Sequence, residues 1–207
     1  MKVYVVVNKT PEILEIPKDA YVIGVDRGSI FALQYGVKLD LAIGDFDSVT
    51  ESEFKFIEEN SKEVLTFNKK KDQTDTLLAL QKSFEVTDEV FLLGGIKGKR
   101  IEHFLAIVLL FKKYPTLTLL NEDSRIFCIS EDKQVFKDDY KYISFFAMEE
   151  CVISLSGFKF DLKDYNYKPY DILGVSNETI HEAAYVKTTG QILVIQTKDD
   201  NDYSWAL

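Results

Sequence analysis

The sequence has 207 residues, enough for one large domain or two small ones with a buried core. It is 46% hydrophobic and 29% charged, which is typical of a globular protein and not of a disordered chain. Lys and Arg total 25 against 34 Asp and Glu, and the resulting formal charge of −9 argues against a nucleic-acid binder, which needs cationic contacts to phosphates.

The apolar segments predict neither a membrane span nor a targeting signal. The longest uninterrupted apolar stretch, Phe104–Phe111, is too short to cross a bilayer. The N-terminus runs directly into Val3–Val7 without the basic region or cleavage site of a signal peptide. Cys128 and Cys151 each lie singly among apolar residues, which indicates small buried thiols rather than a disulfide or a metal site. We therefore expect a cytoplasmic protein that does not bind membranes.

Short apolar runs alternate with segments of helical spacing over the first 125 or so residues. The predicted strands are Val3–Asn8, Tyr21–Val25, Leu39–Ile43, Val64–Phe67, Val90–Leu93 and Leu117–Leu120. The predicted helices are one from near Gly28 to Gly36, one from about Glu51 to Asn60 that begins with a Thr50–Glu53 capping box, Thr74–Phe84 and Glu102–Tyr114. This alternation predicts an α/β domain over residues 1–125, with a mostly parallel, Rossmann-like sheet and helices on both faces.

After Ile126 the sequence pattern changes to strands separated by polar turns, without a convincing long helix. The predicted strands are Lys141–Ala147, Val152–Phe160, Asp171–Val175 and Ile192–Thr197. Such a run predicts a smaller all-β domain over residues 126–207, of sandwich or barrel-like form.

An acidic segment, Gly44–Ser48, follows directly after the apolar run Leu39–Ile43. In parallel α/β sheets, ligands bind beyond the carboxyl ends of the strands. In extended backbone, Asp45 and Asp47 point to the same side, where two carboxylates repel each other unless a cation joins them. Mg²⁺, a hard ion that often shares phosphates, is the natural occupant. The alternative is an Asp-rich turn whose side chains bond to local backbone amides.

A second acidic segment, Asp72–Asp75, begins the helix that follows the strand at Val64–Phe67. Taken alone, it has a simple structural explanation, with Asp72 as the N-cap and Asp75 in the first turn of the helix. Its predicted position at the same sheet edge favours a metal-binding role instead, because converging acids are costly without a cation. Asp26, which ends the second strand, is either a further member of this edge or the cap of the next helix.

A glycine-rich and basic turn, Gly94–Arg100, connects a predicted strand to a predicted helix. Glycines allow the backbone to approach an anion, and the helix N-terminus and the Lys and Arg side chains provide positive charge. The spacing is neither that of a P-loop nor that of the dinucleotide fingerprint, so a plain flexible turn remains an alternative. His103 in the first turn of the following helix either contacts a nucleotide or only completes the helix start.

Taken in order, these segments resemble the thiamine pyrophosphokinase family, and particularly its bacterial members. The resemblance covers almost the whole chain. It is carried by Val25–Gly28 for the Asp-x-Gly turn, Gly44–Ser48 for Gly-Asp-Phe-Asp-Ser, Asp72–Asp75 for Asp-x-Thr-Asp, Gly98–His103 for Gly-Gly-Arg-x-Asp-His with Lys99 and Glu102 as departures, and the β-domain segments Tyr142–Phe145, Leu155–Phe160 and Gly174–Glu178.

The resemblance implies an enzyme that transfers the pyrophosphoryl group of ATP to the hydroxyl of thiamine, giving thiamine diphosphate and AMP. It implies a homodimer in which the α/β domain holds ATP and Mg²⁺ and thiamine lies near the dimer interface. The implied residues are Asp45, Asp47, Asp72 and Asp75 for metal and catalysis, Asp26, Arg27, Gly28, Thr74, Gly95, Arg100 and His103 for the nucleotide, and Ser176 and Asn177 for thiamine.

Two other classes fit parts of the sequence. In a haloacid-dehalogenase-like phosphatase, Asp45 of the segment Asp45–Val49 would be a covalent nucleophile, although that motif normally ends the first strand and two predicted strands precede it here. The other class is a nucleotide-sensing module without catalysis, in which the β part is an interaction domain. A phosphoryl group trapped on Asp45, or a stable ATP complex without thiamine-dependent AMP release, would favour these rivals.

Overall fold

A computed structural model of the chain describes residues 1–7, 16–67, 73–96 and 100–199. The chain forms two compact units, and the boundary between them lies between Glu122 and Asp123. This boundary is close to the predicted limits of 1–125 and 126–207. The segment Phe111–Pro115 also belongs to the second unit. Within the described part of the chain, none of the helices has the length and apolar character that crossing a bilayer requires. We call the units the α/β unit and the β unit.

The α/β unit alternates strands with helices, as the sequence predicts. Its elements are β1 (Val3–Val6), β2 (Tyr21–Val25), α1 (Arg27–Gln34), β3 (Leu39–Gly44), α2 (Glu51–Asn60), β4 (Ser61–Thr66), α3 (Asp75–Phe84), β5 (Val90–Leu93), α4 (Ile101–Lys113) and β6 (Thr118–Leu120). The strands pair in parallel in the order β4-β3-β2-β1-β5-β6. Parallel pairing requires a crossover between neighbouring strands, and helices α1, α2, α3 and α4 lie in the connections that follow β2, β3, β4 and β5.

Both faces of this sheet are buried, which explains why its central strands are apolar throughout. In β1, Tyr4 and Val6 point to one face and join a cluster with Ile30 of α1 and Ile57 of α2. Val3 and Val5 alternate with them and are fully buried too, and α3 packs against β1, β2 and β3. The outer strand β4 is only partly buried, as an edge strand is expected to be.

The helix starts follow from hydroxyl side chains at their N-caps. The predicted capping box of α2 is confirmed: the Thr50 side chain accepts a hydrogen bond from the Glu53 backbone N–H, and Glu53 accepts one from the Thr50 backbone N–H. Helix α3 is capped by Thr74, whose side chain accepts from the Leu77 N–H, so the simple interpretation of Asp72 as the N-cap is wrong.

The order of the parallel strands reverses between β1 and β5. The chain builds outward from β1 to β4 and then returns through α3 to β5, on the other side of β1. In open α/β sheets, ligands bind outside the carboxyl ends of the strands near such a reversal. The segments that follow β2 and β3, and the start of α3, lie at these carboxyl ends.

The β unit is antiparallel. Its strands are β7 (Ser124–Ile129), β8 (Lys133–Phe136), β9 (Tyr142–Ala147), β10 (Cys151–Ser156), β11 (Leu162–Tyr167), β12 (Ala183–Thr188) and β13 (Ile192–Thr197). Strand β13 pairs with β7 and β9, and a second sheet has the order β11-β10-β12-β8. Phe145 and Val194 of the first set share one buried cluster with Ile153 and Val186 of the second, so the unit is a sandwich, as predicted.

The strand prediction for Asp171–Val175 is wrong. This segment is a turn in which Asp171 N–H bonds to Lys168 O and Val175 N–H bonds to Ile172 O. Its apolar side chains are exposed, with Ile172 at 77% and Leu173 at 58%, so they supply no buried face on which a strand could rest. Strands β7, β8, β11 and β12 were not predicted, and their mixed polar and apolar composition is the reason.

Candidate active site

Three carboxylates from three separate segments meet at the carboxyl edge of the parallel sheet. Asp26 follows β2, Asp45 follows β3, and Asp75 is the first residue of α3. One carboxylate oxygen of each lies within 4.8 Å of the others, and all three residues are partly buried. The expectation that Asp45 and Asp75 lie at one edge agrees with this geometry, and Asp26 joins them. We call Asp26, Asp45 and Asp75 the acidic cluster.

Asp26 is held in an unusual backbone conformation that directs it into the cluster. Its φ of 47° and ψ of −125° are uncommon for a residue with a side chain, and its N–H is bonded to Ile43 O of the neighbouring strand. Asp26 occupies the N-cap position of α1, as the helix-cap alternative expected, but its side chain makes no capping hydrogen bond to that helix. Instead, its Oδ1 accepts a hydrogen bond from the Phe46 N–H at 3.2 Å.

The segment that carries Asp45 can reach Asp26 only because residue 44 is a glycine. A Cβ at Gly44 would lie 1.9 Å from Asp26 Oδ1, far inside any permitted contact. Phe46 then takes a left-handed conformation with φ of 54°, and its buried ring packs on Phe54 of α2 with the centroids 5.1 Å apart. Burial of this ring anchors the turn and offsets its backbone strain.

The other predicted metal ligands lie in different surroundings. Asp47 is exposed, and its N–H donates to Asp45 Oδ1 at 3.1 Å; it is not part of the acidic cluster. Thr74, predicted to contact the nucleotide, is the N-cap of α3: its side chain accepts a hydrogen bond from the Leu77 N–H, and the helix begins at the next residue, Asp75. Asp72 lies outside the described residues, as do Lys97, Gly98 and Lys99.

The acidic cluster suits a hard divalent cation. At about 5 Å and an effective dielectric constant near 20, each pair of ionised carboxylates repels by about 3 kcal/mol. An ion such as Mg²⁺ prefers oxygen ligands and removes this repulsion by binding between them. Since the donor atoms are carboxylate oxygens contributed by three separate segments, the residues present fit Mg²⁺.

The predicted phosphate cradle begins with two glycines in left-handed conformations. Gly94 has φ of 88° and Gly95 has φ of 84°, and a Cβ on Gly95 would lie 2.7 Å from Ile107 Cδ1 of α4. Arg100 is exposed and forms an ion pair with Glu102 at 2.7 Å, which lowers the pKa of Glu102. His103 is exposed in the first turn of α4, and its backbone N–H donates a hydrogen bond to the backbone carbonyl of Arg100.

Arg27 and Gly28 begin α1 directly after Asp26. A Cβ on Gly28 would lie 2.2 Å from Val6 O, so glycine is what lets the helix start approach β1. The Arg27 guanidinium donates to Ser48 O at 2.9 Å and forms an ion pair with Glu53 at 3.2 Å. Neither Glu53 nor Ser48 was singled out from the sequence for this contact. The capping-box spacing was the available signal for Glu53, but it does not reveal the arginine.

In the β unit, the predicted thiamine residues differ in exposure. Ser176 is exposed, has φ of 56°, and donates its N–H to Ser144 Oγ. Asn177 is only 3% exposed. Its Oδ1 accepts from the N–H groups of Phe160 and Glu178, and its Nδ2 donates to Phe160 O. The Asn177 side chain therefore holds its own turn against the segment around Phe160.

These features define an α/β protein with an acidic ligand site at the carboxyl edge of a parallel sheet, followed in the chain by an antiparallel sandwich. Two family models match the chain: the thiamin pyrophosphokinase catalytic domain over residues 14–120, and the thiamin pyrophosphokinase vitamin B1 binding domain over residues 128–193. The chain belongs to the thiamin pyrophosphokinase family.

Individual relatives agree with the family models. The thiamine pyrophosphokinase of Bacillus subtilis is 34% identical over 186 residues, which cover 86% of this chain and 87% of the relative. The crystal structure of a thiamin pyrophosphokinase family protein from Enterococcus faecalis is similar with a TM-score of 0.87 and 29% identity, covering 97% of this chain and all of that one. The crystal structure of the Bacillus subtilis protein gives a TM-score of 0.86 and 28% identity over 96% of this chain and all of that one.

The family resemblance seen in the sequence is thus confirmed. The phosphatase alternative for Asp45 is excluded by the family assignment, and β3, the strand before Asp45, is the third in the chain. The match to a catalytic-domain model favours an enzyme over a sensing module.

Proposed function

We propose that this chain transfers the pyrophosphoryl group of ATP to the hydroxyl of thiamine and releases AMP and thiamine diphosphate. The observation that carries the proposal is the acidic cluster, in which Asp26, Asp45 and Asp75 converge at the carboxyl edge of the sheet of a thiamin pyrophosphokinase family member. Carboxylates beyond the ends of parallel strands, beside a glycine-rich turn, suit the binding of a nucleotide with its metal.

Magnesium is the cofactor that we propose for the acidic cluster. Asp26, Asp45 and Asp75 would hold it, with Asp47 beside them and Asp72 as the further predicted ligand. When bound, Mg²⁺ supplies positive charge that neutralises the phosphoryl oxygens during the transfer. The role of the chain is to fix the three carboxylates before substrate arrives. The bond from Phe46 N–H and the buried Phe46 ring hold Asp26 beside the Asp45 segment, and the Thr74 cap of α3 places Asp75.

The transfer itself needs positioning and one proton acceptor. The thiamine hydroxyl oxygen forms a bond to the β-phosphorus of ATP, the bond from that phosphorus to the oxygen of the α-phosphate breaks, and AMP leaves with the bond pair. A carboxylate oxygen at the site, among Asp45, Asp47, Asp72 and Asp75, accepts the hydroxyl proton. Holding the two substrates in line lowers the barrier by removing their translational and rotational freedom before the reaction.

The nucleotide phosphates are proposed to bind at the turn that starts with Gly94 and Gly95. Both glycines have positive φ angles and no side chain, so an anion can approach their backbone. The start of α4, with Arg100 and His103, follows in the chain. Asp26, Gly28 and Thr74 are the remaining residues proposed for the nucleotide. Of these, Gly28 and Thr74 act through the backbone positions of α1 and α3.

Thiamine is proposed to bind at the exposed Ser176, with the buried Asn177 holding the turn in place. The same segment exposes apolar side chains, with Tyr170 at 72% and Ile172 at 77%, which suits a surface that is covered in a homodimer. We propose a cytoplasmic homodimer with thiamine near the interface. Light scattering coupled to size exclusion tests the dimer, and a mass of one chain, 23.8 kDa, would contradict it.

The decisive experiment is incubation of the protein with ATP, Mg²⁺ and thiamine, followed by measurement of thiamine diphosphate and AMP. We expect the two products in equal amounts, and none when Mg²⁺ is chelated. Asp45→Asn and Asp75→Asn remove one carboxylate each from the acidic cluster, and Asp88→Asn changes an exposed aspartate of the same unit outside it. Formation of ADP instead of AMP, or full activity in Asp45→Asn, would refute the proposal.

A further inference from the structure

The side chain of Arg27 bridges two segments beside the acidic cluster. Its Nη1 donates to the backbone carbonyl of Ser48 at 2.9 Å, and its Nη2 lies 3.2 Å from Glu53 Oε1. The side chains of Arg27 and Glu53 are 49% and 26% exposed, so the bridge lies at the surface of the unit. A planar guanidinium with several donors can make both contacts at once, which a lysine ammonium does less well.

Glu53 connects this bridge to the start of α2. Its Oε2 accepts from the Thr50 N–H at 2.8 Å and from the Thr50 hydroxyl at 3.1 Å, while its Oε1 accepts from Arg27. The bond from the Thr50 backbone, followed by smaller contributions that include Arg27, lowers the pKa of Glu53. One carboxylate therefore ties the N-terminus of α2 to the N-terminus of α1.

The two consecutive residues Asp26 and Arg27 hold the acidic segment at two points. Asp26 Oδ1 accepts the N–H of Phe46, and Arg27 Nη1 donates to the carbonyl of Ser48. Asp47 lies between these two points, and Asp45 precedes the first of them. The positions of Asp45 and Asp47 relative to Asp26 thus depend on the bond made by the next residue, Arg27.

We propose that Arg27 is a positioning residue rather than a nucleotide ligand. Through its contacts with Ser48 and Glu53, it keeps Asp45 and Asp47 in place relative to Asp26 and Asp75. The inference rests on the proposed function of the acidic cluster as a metal site. An exposed ion pair contributes little to global stability, so loss of the bridge should lower Tm by no more than about 3 °C. A displacement of about 1 Å at a reacting site, by contrast, can reduce the rate about 100-fold.

The test compares Arg27→Ala, Arg27→Lys, Glu53→Gln and the double variant Arg27→Ala/Glu53→Gln with Lys55→Ala as the control. Lys55 is exposed on α2 and pairs only weakly with Glu59, at 3.9 Å, so its loss removes a cation without touching Ser48. The readouts are binding of Mn²⁺ alone, by electron paramagnetic resonance, the Mg²⁺ concentration for half-maximal rate, and KM for ATP and thiamine.

Arg27→Ala should weaken Mn²⁺ binding about tenfold and raise the Mg²⁺ requirement in parallel, with the KM for thiamine unchanged. Arg27→Lys should recover part of the loss, and the double variant should be no worse than Arg27→Ala, because both residues act through one bridge. Unchanged Mn²⁺ binding in Arg27→Ala, alone or with a higher KM for ATP, would overturn the proposal. If the wild type forms no AMP, the proposed reaction fails, while the Mn²⁺ measurements still decide the role of Arg27.

Discussion

The two units use polar side chains in opposite ways. In the α/β unit, three carboxylates of like charge are brought within 4.8 Å of one another by strained backbone at Asp26 and Phe46. In the β unit, the buried amide side chains of Gln196 and Asn177 meet complementary partners. Gln196, 1% exposed, accepts from Arg125 and donates to Phe136 O, and Asn177 makes three hydrogen bonds.

The difference separates residues that bind from residues that stabilise. Groups of like charge held together weaken the folded state unless a ligand of opposite charge is bound, so their arrangement reflects function. Buried polar groups with matched partners stabilise one conformation, and removing one partner leaves the other without a hydrogen bond. The comparison predicts that substitutions in the acidic cluster change activity more than stability, and that those in the β unit do the reverse.

The largest effect is expected for Asp45→Asn and Asp75→Asn in the acidic cluster. Each should lower kcat about 1,000-fold, because the Mg²⁺ that neutralises the phosphoryl oxygens would lose a ligand. The midpoint of thermal unfolding without Mg²⁺ should stay equal or rise, since one repelling charge is removed. Calorimetry and the AMP assay measure the two quantities, with Asp88→Asn as the control. A clear loss of thermal stability would contradict a binding role.

The next largest effect is expected for Gly44→Ala, whose rate should be about 100-fold lower than that of the wild type. The new Cβ would occupy the space of Asp26 Oδ1 and force Asp26 away from Asp45 and Asp75. Gly36→Ala is the matched control, because Gly36 has a positive φ of 75° but no atom lies within 4 Å of the point that its added methyl carbon would occupy. It should cost about 1 kcal/mol of stability and leave the rate unchanged. Equal rates in the two variants would contradict the role of Gly44 in holding the acidic cluster together.

In the β unit, Asn177→Ala should lower the free energy of unfolding by about 2 kcal/mol, because the N–H groups of Phe160 and Glu178 and the carbonyl of Phe160 lose their partner. Urea unfolding measures the loss. Ser176→Ala is the control, since the hydrogen bond to Ser144 comes from the Ser176 backbone and persists in the variant. A raised KM for thiamine with full stability in Asn177→Ala would show that Asn177 acts on substrate instead.

A smaller effect is expected from Glu149 in the β unit, which bonds to Lys112 at 2.7 Å and accepts the Gln191 N–H at 3.1 Å. The Lys112 contact first, and then the backbone bond, lower its pKa below the ordinary 4.5. A glutamate whose pKa is lowered by folding stabilises the folded state at pH values above its ordinary pKa. This contribution disappears as pH falls through the folded-state pKa. Glu149→Gln should therefore be less stable than wild type at pH 7, and the difference should shrink as pH falls below 4.5 and through the lowered folded-state pKa. Glu131→Gln, which replaces an exposed glutamate of the same unit, is the control.

The smallest effect concerns the two buried thiols of the β unit. Burial raises the pKa of Cys128 to about 12 and also raises the pKa of Cys151. Since the thiolate is the reactive form, alkylation of the native protein at pH 8 should be far slower than alkylation in urea. Mass spectrometry after a timed reaction measures this. Rapid modification of Cys128 in the native protein would mean that the sandwich opens readily.

The sequence predicted the α/β unit well because its central strands are apolar on both faces, so that β1, β2, β3 and β5 stand out from the helices between them. The β unit was harder, because β8 and β11 contain many exposed polar residues. The exposed Ile172 and Leu173 imitate a strand in sequence but lie in a turn. Hydrophobic patterns report burial, and they mislead where apolar residues remain at the surface.

The site was predicted in part. The positions of Asp45 and Asp75 follow from the rule that the carboxyl ends of parallel strands share one edge. The same rule does not predict that the Asp26 side chain joins the acidic cluster, because its direction depends on a positive φ that no short sequence pattern specifies. The contact between Arg27 and Glu53 joins residues 26 positions apart, and such a pair is set by how α1 and α2 lie on the sheet.

The path of α3 has a consequence for how the protein assembles. Asp75 reaches Asp26 and Asp45 only because α3 returns from the outermost strand β4 across the sheet toward β5. A folding intermediate that contains β1 to β3 alone would have two of the three carboxylates and no complete cation site. Cation affinity therefore belongs to the finished sheet, and a divalent ion at ten times its Kd would favour that state over all incomplete ones by about 1.4 kcal/mol.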